Sequence, residues 1–199
     1  MKTSDLCLTS IQRARLQMDA LNLLINHQMV YFPIDIFRLA KKAFNITIIK
    51  YSEVTEKALA YIRKINELNA GFTVVLKYSN GAKAYIIYYN DSVCIERQRF
   101  TIAHELKHIY YDEVDYDYHD EIGAECFAST LLAPQCVAIT NDLLTIPKIK
   151  RYFKISSSAA QVLIQKIDSR FVKYGNILFD FEKEFLRKRD EIISKNKHI

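Results

Sequence analysis

Two histidines stand four residues apart near the middle of the chain, and a glutamate directly follows the first of them: His104, Glu105 and His108. On an α-helix, residues at positions i and i+4 lie on the same face, so His104 and His108 can hold one zinc ion from one side. Glu105 points about 100° further round the helix, where it can reach a water molecule on the metal without binding the metal itself. This is the His-Glu-x-x-His arrangement, in which the glutamate is the general base for a zinc-bound water.

The residues around this motif predict a helix. Segment 99–110 contains no glycine or proline, and it supplies a broad apolar surface. An amphipathic helix with two incidental histidines on its polar face is the alternative interpretation. The whole chain has only five histidines, so we favour the metal-binding interpretation of this pair.

A zinc hydrolase also needs a third protein ligand and an open fourth position for water or substrate. The next predicted helix, 120–132, carries Glu121 and Glu125 at positions i and i+4, so they share a face. We interpret Glu121 as the third ligand. Glu125 would accept a hydrogen bond from the outer nitrogen of a ligand histidine and so fix its tautomer and orientation. The exchanged assignment, with Glu125 as ligand and Glu121 as its support, is left open by the spacing.

Two linked motifs resemble the ImmA/IrrE family of zinc metallopeptidases: Arg-Phe-Thr-x-Ala-His-Glu-Leu-x-His at 99–108, and Glu-x-x-Ala-x-x-Phe-Ala-x-x-Leu-Leu-x-Pro at 121–134. The resemblance implies His104, His108 and Glu121 as metal ligands and Glu105 as the catalytic residue. Proteins of that family are encoded largely by phages, mobile elements and bacterial genomes, and they act on helix-turn-helix repressors. The resemblance therefore implies a transcriptional repressor as substrate.

The chain departs from the family pattern at two positions. Many members carry glycine at the position of Lys107 and glutamate at the position of Gly123. Neither departure removes a metal ligand, although a lysine directly before His108 can alter the local electrostatic field.

The rest of the chain predicts an α+β fold of the zincin-like metallopeptidase type. Helical patterns occupy 9–28, 34–44 and 53–69, and a β-branched run at 45–51 predicts a strand. Two further strands, 72–78 and 82–89, are joined by Asn-Gly, a strong hairpin signal. We predict a small three-stranded antiparallel sheet packed on helices. Its edge strand could bind an extended substrate by strand addition, or could merely be covered.

Past Pro134 the chain predicts helices. Segment 149–163 has the helix, short turn and serine-capped helix pattern of a helix-turn-helix. This segment could read DNA or could close the peptidase domain by packing. We favour packing, because the leading turn of its second helix has few basic residues. We therefore divide the chain into a metallopeptidase domain, 1–134, and a C-terminal helical region packed on it, 135–199.

Charge is distributed unevenly along the chain. Acidic residues dominate 104–125 and basic residues dominate 147–173. The asymmetry suggests a cation-attracting site and a basic surface for an acidic partner or nucleic acid, although a solvated face explains the basic half equally well. The start of the chain lacks the apolar core of a signal peptide, and no run of eighteen apolar residues predicts a membrane span. The four cysteines form no C-x-x-C pair, which favours a reducing compartment, and we predict a cytoplasmic protein.

The predicted function is that of a zinc-dependent endopeptidase. Glu105 would take a proton from the attacking water and deliver it to the leaving amine, while Tyr110, Tyr111 or His119 could donate a hydrogen bond to the oxyanion. His119 could instead be a metal ligand, although a lone histidine at the start of a helix is more often solvated. Mn²⁺ or Co²⁺ would also fit such ligands. The alternative is a non-proteolytic regulator that binds a repressor or DNA and uses its metal for structure. The ligand types favour hydrolysis, because structural zinc sites usually close with four Cys or His ligands.

Overall fold

The computed structural model of the chain describes residues 7–65, 70–113 and 117–196. Within these ranges the elements follow in the order α1 (Ser10–Asn26), α2 (Ile36–Phe44), β1 (Thr47–Lys50), α3 (Glu56–Ile65), β2 (Gly71–Lys77), β3 (Lys83–Tyr89), α4 (Ile95–Tyr110), α5 (Tyr118–Leu132), α6 (Gln135–Thr140), α7 (Ile146–Phe153), α8 (Ser157–Tyr174) and α9 (Asp180–Asn196). The α+β class predicted from the sequence is confirmed, since a small three-stranded sheet packs on helices. Residues 66–69 of the predicted helix 53–69 lie outside the described ranges.

The sheet has the strand order β1-β3-β2. β2 and β3 form the antiparallel hairpin that the Asn-Gly turn predicts. β1 pairs with β3 in parallel, with Thr47 opposite Ile86 and Lys50 opposite Tyr89. The sheet is therefore mixed and not antiparallel, which corrects the prediction from the sequence. The apolar pattern of a strand does not encode its direction, which here depends on how α3 returns the chain into the hairpin.

β2 lies at one edge of the described sheet. The N–H of Asn90 donates to the carbonyl oxygen of Ala70 at 3.0 Å, which identifies one hydrogen-bonded pair of the hairpin. Hydrogen-bonded and non-hydrogen-bonded pairs alternate along an antiparallel ladder. Thr73, Val75 and Lys77 therefore direct their backbone N–H and C=O groups away from β3, toward the open edge.

α4 runs through the middle of the molecule and contacts α2, α5, β2 and β3. Its apolar residues Ile102, Ala103 and Leu106 are fully buried. They belong to one hydrophobic core that also contains Phe127 of α5 and Leu163 of α8. A single core therefore extends from the sheet to the C-terminal helices and fixes the position of α4.

Arg99 anchors the N-terminal half of α4. Its buried guanidinium donates to the carbonyl oxygens of Phe153 at 3.0 Å and of Ile34 at 3.1 Å, and also to that of Lys154. Two of these carbonyls lie at the C-terminal end of α7, where backbone acceptors have no partner within the helix. Arg99 thus supplies the missing donors and holds α7 against α4.

The segment Tyr118–Thr140 is long and apolar enough to cross a membrane by length and composition alone. In the fold it comprises α5 and α6, which are separated at Pro134, and 67% of its apolar window is buried inside the protein. Its apolar residues therefore serve as part of the core.

Candidate metal centre

Three side chains from two helices come together between α4 and α5. Nε2 of His104 lies 3.4 Å from Nε2 of His108 and 3.2 Å from Oε2 of Glu121. Nε2 of His108 lies 3.5 Å from Oε1 of Glu121. The histidines stand one turn apart on α4, and Glu121 lies at the start of α5, which packs along α4. The structure thus brings together the three residues that the sequence analysis assigned as ligands.

The spacing of this cluster fits a tetrahedral metal ion. Ligand atoms placed 2.0–2.1 Å from zinc at tetrahedral angles lie about 3.3–3.4 Å from one another. The observed separations, from 3.2 to 3.5 Å, bracket this value. Two imidazole nitrogens and one carboxylate are also the ligand types of catalytic zinc sites that keep a fourth position for water. The cluster can therefore hold a divalent metal ion.

Burial keeps both histidines neutral. The pKa values of His104 and His108 are each lowered from 6.5 to about 4, mainly because burial disfavours the charged ring. His104 and Lys107 lower the pKa of His108 further. At pH 7 both rings are therefore in the form that binds metal ions.

The chain folds back at the end of α4 in a Schellman motif. The N–H of Glu113 donates to the carbonyl oxygen of His108 at 2.9 Å, and the N–H of Asp112 donates to that of Ile109 at 3.1 Å. Asp112 has a φ of 53°, in the left-handed region that aspartate adopts more readily than most residues. This turn brings Glu113 back against the last turn of α4.

The side chain of Glu113 holds the ring of His108. Its Oε2 lies 2.8 Å from Nδ1 of His108. Because Nε2 faces the ligand cluster, the proton of the neutral ring is on Nδ1 and is donated to Glu113. From the sequence, a support role of this kind for one of the two histidines was predicted for Glu125, and that role stays a prediction; at His108 the residue in this position is Glu113. Glu125 is exposed on α5, and its charge acts on His104, whose pKa it raises against the larger effect of burial.

Glu105 lies on the side of α4 that faces the sheet, next to β2. Its Oε2 accepts a hydrogen bond from Oγ1 of Thr73 at 2.8 Å. α4 approaches β2 this closely because residue 71 is glycine. A Cβ atom on Gly71 would lie 2.4 Å from Cγ2 of Thr101 and 2.8 Å from the carbonyl oxygen of Tyr88. Since Thr101 and Glu105 are one turn apart, the same close contact brings the hydroxyl of Thr73 to Glu105.

Burial determines the protonation of Glu105, which is only 5% exposed. Burial raises the pKa of Glu105 from 4.5 to about 7, the charge of Glu121 acts in the same direction, and the Thr73 hydroxyl opposes them. A carboxyl group with a pKa near neutrality can take up and release a proton at physiological pH. Glu105 therefore has the property that a general base needs.

The three predicted oxyanion donors, Tyr110, Tyr111 and His119, lie in different surroundings. The hydroxyl of Tyr111 donates to the carboxylate of Asp19 on α1. The ring of Tyr110 packs against Phe44 and Phe127 with ring centroids 6.3 and 5.6 Å apart. His119 is half-buried in the first turn of α5, two residues before Glu121. The roles of Tyr110, Tyr111 and His119 at the oxyanion stay predictions.

Two residues of the site, Thr73 and Glu113, were not predicted from the sequence. Thr73 is 32 positions before Glu105, and nothing in a β-branched strand marks one threonine as the partner of a distant carboxylate. The position of Glu113 could have been predicted, because Asp112 before it is a residue type that adopts the left-handed conformation at the end of a helix. Such a turn directs the next residue back toward the helix. The acidic residue Asp115 lies outside the described residues.

The fold and the site together define a metallopeptidase-like protein: a His-Glu-x-x-His helix lies beside a small sheet, and a second helix supplies a third ligand. Residues 42–164 match the family model of Peptidase M78, the IrrE N-terminal-like domain. This match covers more than half of the chain, so the chain belongs to the Peptidase M78 family, and the resemblance noted at 99–134 is confirmed. No curated protein matches the chain at a significant level. The division of the chain after residue 134 stays a prediction.

Proposed function

We propose that the protein is a zinc-dependent endopeptidase that hydrolyses peptide bonds in a protein substrate. The observation that carries the proposal is the position of a buried acid–base group, Glu105, on the same helix as His104 and His108, which meet Glu121. A structural metal site has no need for such a carboxyl group. Membership of a peptidase family supports the same conclusion.

Bound zinc would polarise the carbonyl of the substrate and lower the pKa of a water molecule to about 7. Glu105 would take the proton from this water and would then deliver it to the leaving amine. Thr73 occupies Oε2 of Glu105, which fixes the carboxyl plane and leaves Oε1 for the proton. Glu113 keeps the ring of His108 in the orientation that presents Nε2 to the metal.

The edge strand β2 supports an extended peptide as the substrate. Its outward-facing backbone groups include those of Thr73, the residue whose side chain contacts Glu105. A peptide that adds to β2 as a further strand would therefore run past the carboxyl group that performs the proton transfer. Such binding uses backbone hydrogen bonds, so it places few demands on substrate side chains.

The family resemblance supports a helix-turn-helix transcriptional repressor as the substrate, in the cytoplasm. All four cysteines of the chain are thiols in the structure, as expected of a reducing compartment. A repressor encoded beside the gene of this protein is therefore the first substrate to test.

The test uses protein stripped of metal with a chelator and reconstituted with Zn²⁺, Mn²⁺ or Co²⁺. The protein is mixed with the purified repressor, and the products are identified by intact mass. We expect discrete fragments only when metal is present. Glu105→Gln should retain zinc and lose roughly 10²- to 10⁴-fold in cleavage rate, since it removes only the general base. His104→Ala should lose both zinc and cleavage.

The matched control is Glu96→Gln, the same substitution in the first turn of α4, which should cleave at the wild-type rate. Full cleavage by Glu105→Gln would refute the role of Glu105. Binding of the repressor without fragments, regardless of metal, would support the alternative of a non-proteolytic regulator.

A further inference from the structure

A lysine is buried inside the metal-binding motif. Lys107, only 3% exposed, directly precedes His108. Its ammonium donates to both carboxylate oxygens of Glu113 at 2.7 Å. It also donates to the carbonyl oxygen of Asp120 at 3.1 Å and to Oδ1 of Asp120 at 3.3 Å. A buried ammonium costs several kcal/mol unless it is paired, so these partners are what make the position tolerable.

The contacts of Lys107 connect the two helices that carry the ligands. Oε2 of Glu113, which accepts from Lys107, is the same oxygen that lies 2.8 Å from Nδ1 of His108. Asp120 directly precedes Glu121 at the start of α5. The ammonium of Lys107 therefore contacts both Glu113, which holds His108, and the first turn of α5, which carries Glu121.

The space for Lys107 is provided by Gly123 on α5. A Cβ atom on residue 123 would lie 3.3 Å from Cε and 3.4 Å from Nζ of Lys107, and 3.6 Å from Cδ1 of Leu16. A longer side chain there would displace the ammonium from its carboxylate partners. Lys107 and Gly123 therefore lie directly against each other across the contact between α4 and α5.

We propose that Lys107 is a positioning residue for the metal centre. It fixes Glu113 against His108 and holds the first turn of α5, with Glu121, at the distance from α4 that a shared metal ion requires. Lys107 does not itself bind the metal. This inference rests on the proposed function only in taking the cluster to be a zinc site, and it concerns metal affinity and not the chemical step.

The primary measurement is the zinc affinity of the full chain, by competition with a chromophoric chelator, together with the visible absorption spectrum of the Co²⁺-loaded protein. Loss of the outer partner of a ligand histidine typically weakens metal binding by roughly 10- to 100-fold. Lys107→Met keeps the length of the side chain and removes its charge, so we expect zinc binding to weaken by about tenfold or more. Lys107→Arg keeps the charge and the donors, and should bind within a few-fold of wild type.

A double variant tests whether Lys107 acts through Glu113. Glu113→Gln should also weaken zinc binding, and Lys107→Met/Glu113→Gln should bind no more weakly than the weaker single variant. Both substitutions break the same link, so their effects should not add. Fully additive losses would overturn the proposal.

The matched control is Lys83→Met. Lys83 forms an ion pair with Asp112, the residue before Glu113, and so ties the same turn to β3 without involving a ligand histidine. The zinc affinity of Lys83→Met should equal that of wild type. If Lys83→Met loses as much zinc affinity as Lys107→Met, any contact that holds this turn has the same effect, and the proposal is overturned.

Circular dichroism of the metal-free variants separates folding from metal binding. A folded Lys107→Met variant with wild-type zinc affinity overturns the proposal. If Lys107→Met does not fold, the zinc affinities of Lys107→Arg and Glu113→Gln decide. Weak zinc binding by Glu113→Gln together with near wild-type binding by Lys107→Arg supports the proposal. Wild-type zinc binding by Glu113→Gln overturns it. Failure of the wild-type protein to bind zinc would instead contradict the proposed function itself.

Discussion

Two pairs of helices in this protein are built in opposite ways. α4 carries four buried polar side chains, Arg99, Glu105, Lys107 and His108, and the last two of them contact α5. α7 and α8 meet through apolar residues, among them Ile149, Phe153, Ala160 and Leu163, and they leave Lys148, Arg151 and Lys154 exposed. The first pair holds reactive groups in a fixed arrangement, whereas the second pair closes the core.

The difference lies in what each contact requires. Apolar packing is non-directional, so the second pair needs only matching shapes and volume. Each buried polar group of the first pair needs a specific partner at hydrogen-bonding distance, because an unpaired one costs free energy. Glu105, Lys107 and His108 have such partners in Thr73 and Glu113. We therefore expect substitutions in the first pair to change metal binding and proton transfer. Substitutions in the second pair should change mainly the free energy of unfolding.

The largest expected effect on stability concerns the second pair. Phe153→Ala should lower the free energy of unfolding by about 3–5 kcal/mol, because it removes a fully buried aromatic ring and leaves a cavity. Chemical denaturation monitored by circular dichroism measures it. Zinc affinity of the folded variant should be unchanged, and a parallel loss of zinc binding would show that the two pairs are not independent.

The next effect concerns the third ligand, and it uses the same substitution one helical turn apart. Glu121→Gln should weaken zinc binding by more than the roughly 10- to 100-fold that loss of an outer partner causes, whereas Glu125→Gln should stay within a few-fold of wild type. The reason is that Glu121 lies 3.2 Å from Nε2 of His104, while Glu125 is exposed. Chelator competition measures both. The reverse result would restore the exchanged assignment that the sequence left open.

A smaller effect concerns the stability of the metal-free protein. The pKa of Glu105 is raised to about 7 in the folded state from 4.5, so the folded state retains a proton that the unfolded state releases. This group therefore costs stability as pH rises above 4.5, and the cost is complete above about pH 7. Glu105→Gln should remove it and stabilise the metal-free protein at pH 8 by roughly 3 kcal/mol.

Thermal unfolding of both proteins from pH 4.5 to 8 measures this difference. The two histidines also titrate with lowered pKa values, but they do so in both proteins, so the comparison isolates Glu105. If the difference in stability between wild type and Glu105→Gln does not grow with pH, the carboxyl group of Glu105 does not retain its proton in the folded state.

The smallest expected effect is on the exposed bases of the second pair. Lys148→Gln/Arg151→Gln should change the free energy of unfolding by no more than about 0.5 kcal/mol, because Lys148 is exposed with its partner Asp142. Zinc affinity should not change either. Binding of wild-type protein to duplex DNA that weakens with salt and is lost in this variant would instead make α7 and α8 a nucleic-acid interface.

The sequence predicted the helices and the hairpin well where local pattern is sufficient. The Asn-Gly turn predicted the pairing of β2 with β3, and the apolar periodicity around residue 104 predicted α4. It predicted the direction of β1 wrongly, because strand direction depends on the connection through α3. The second helix begins at Ile36, with Asp35 as its cap accepting from the N–H of Arg38, two residues later than the pattern indicated.

Short-range spacing by itself determined that His104, Glu105 and His108 of the candidate metal centre lie next to one another on one helix. His104 and His108 share a face of any helix they occupy, and Glu105 lies about 100° round the helix axis from His104. Only the tertiary structure decided which groups surround that chemistry: Thr73 on Glu105, Glu113 on His108, and Lys107 in the space left by Gly123. Helical geometry repeats within a few residues and is visible in the chain, whereas these contacts depend on how separate elements pack, which local sequence does not encode.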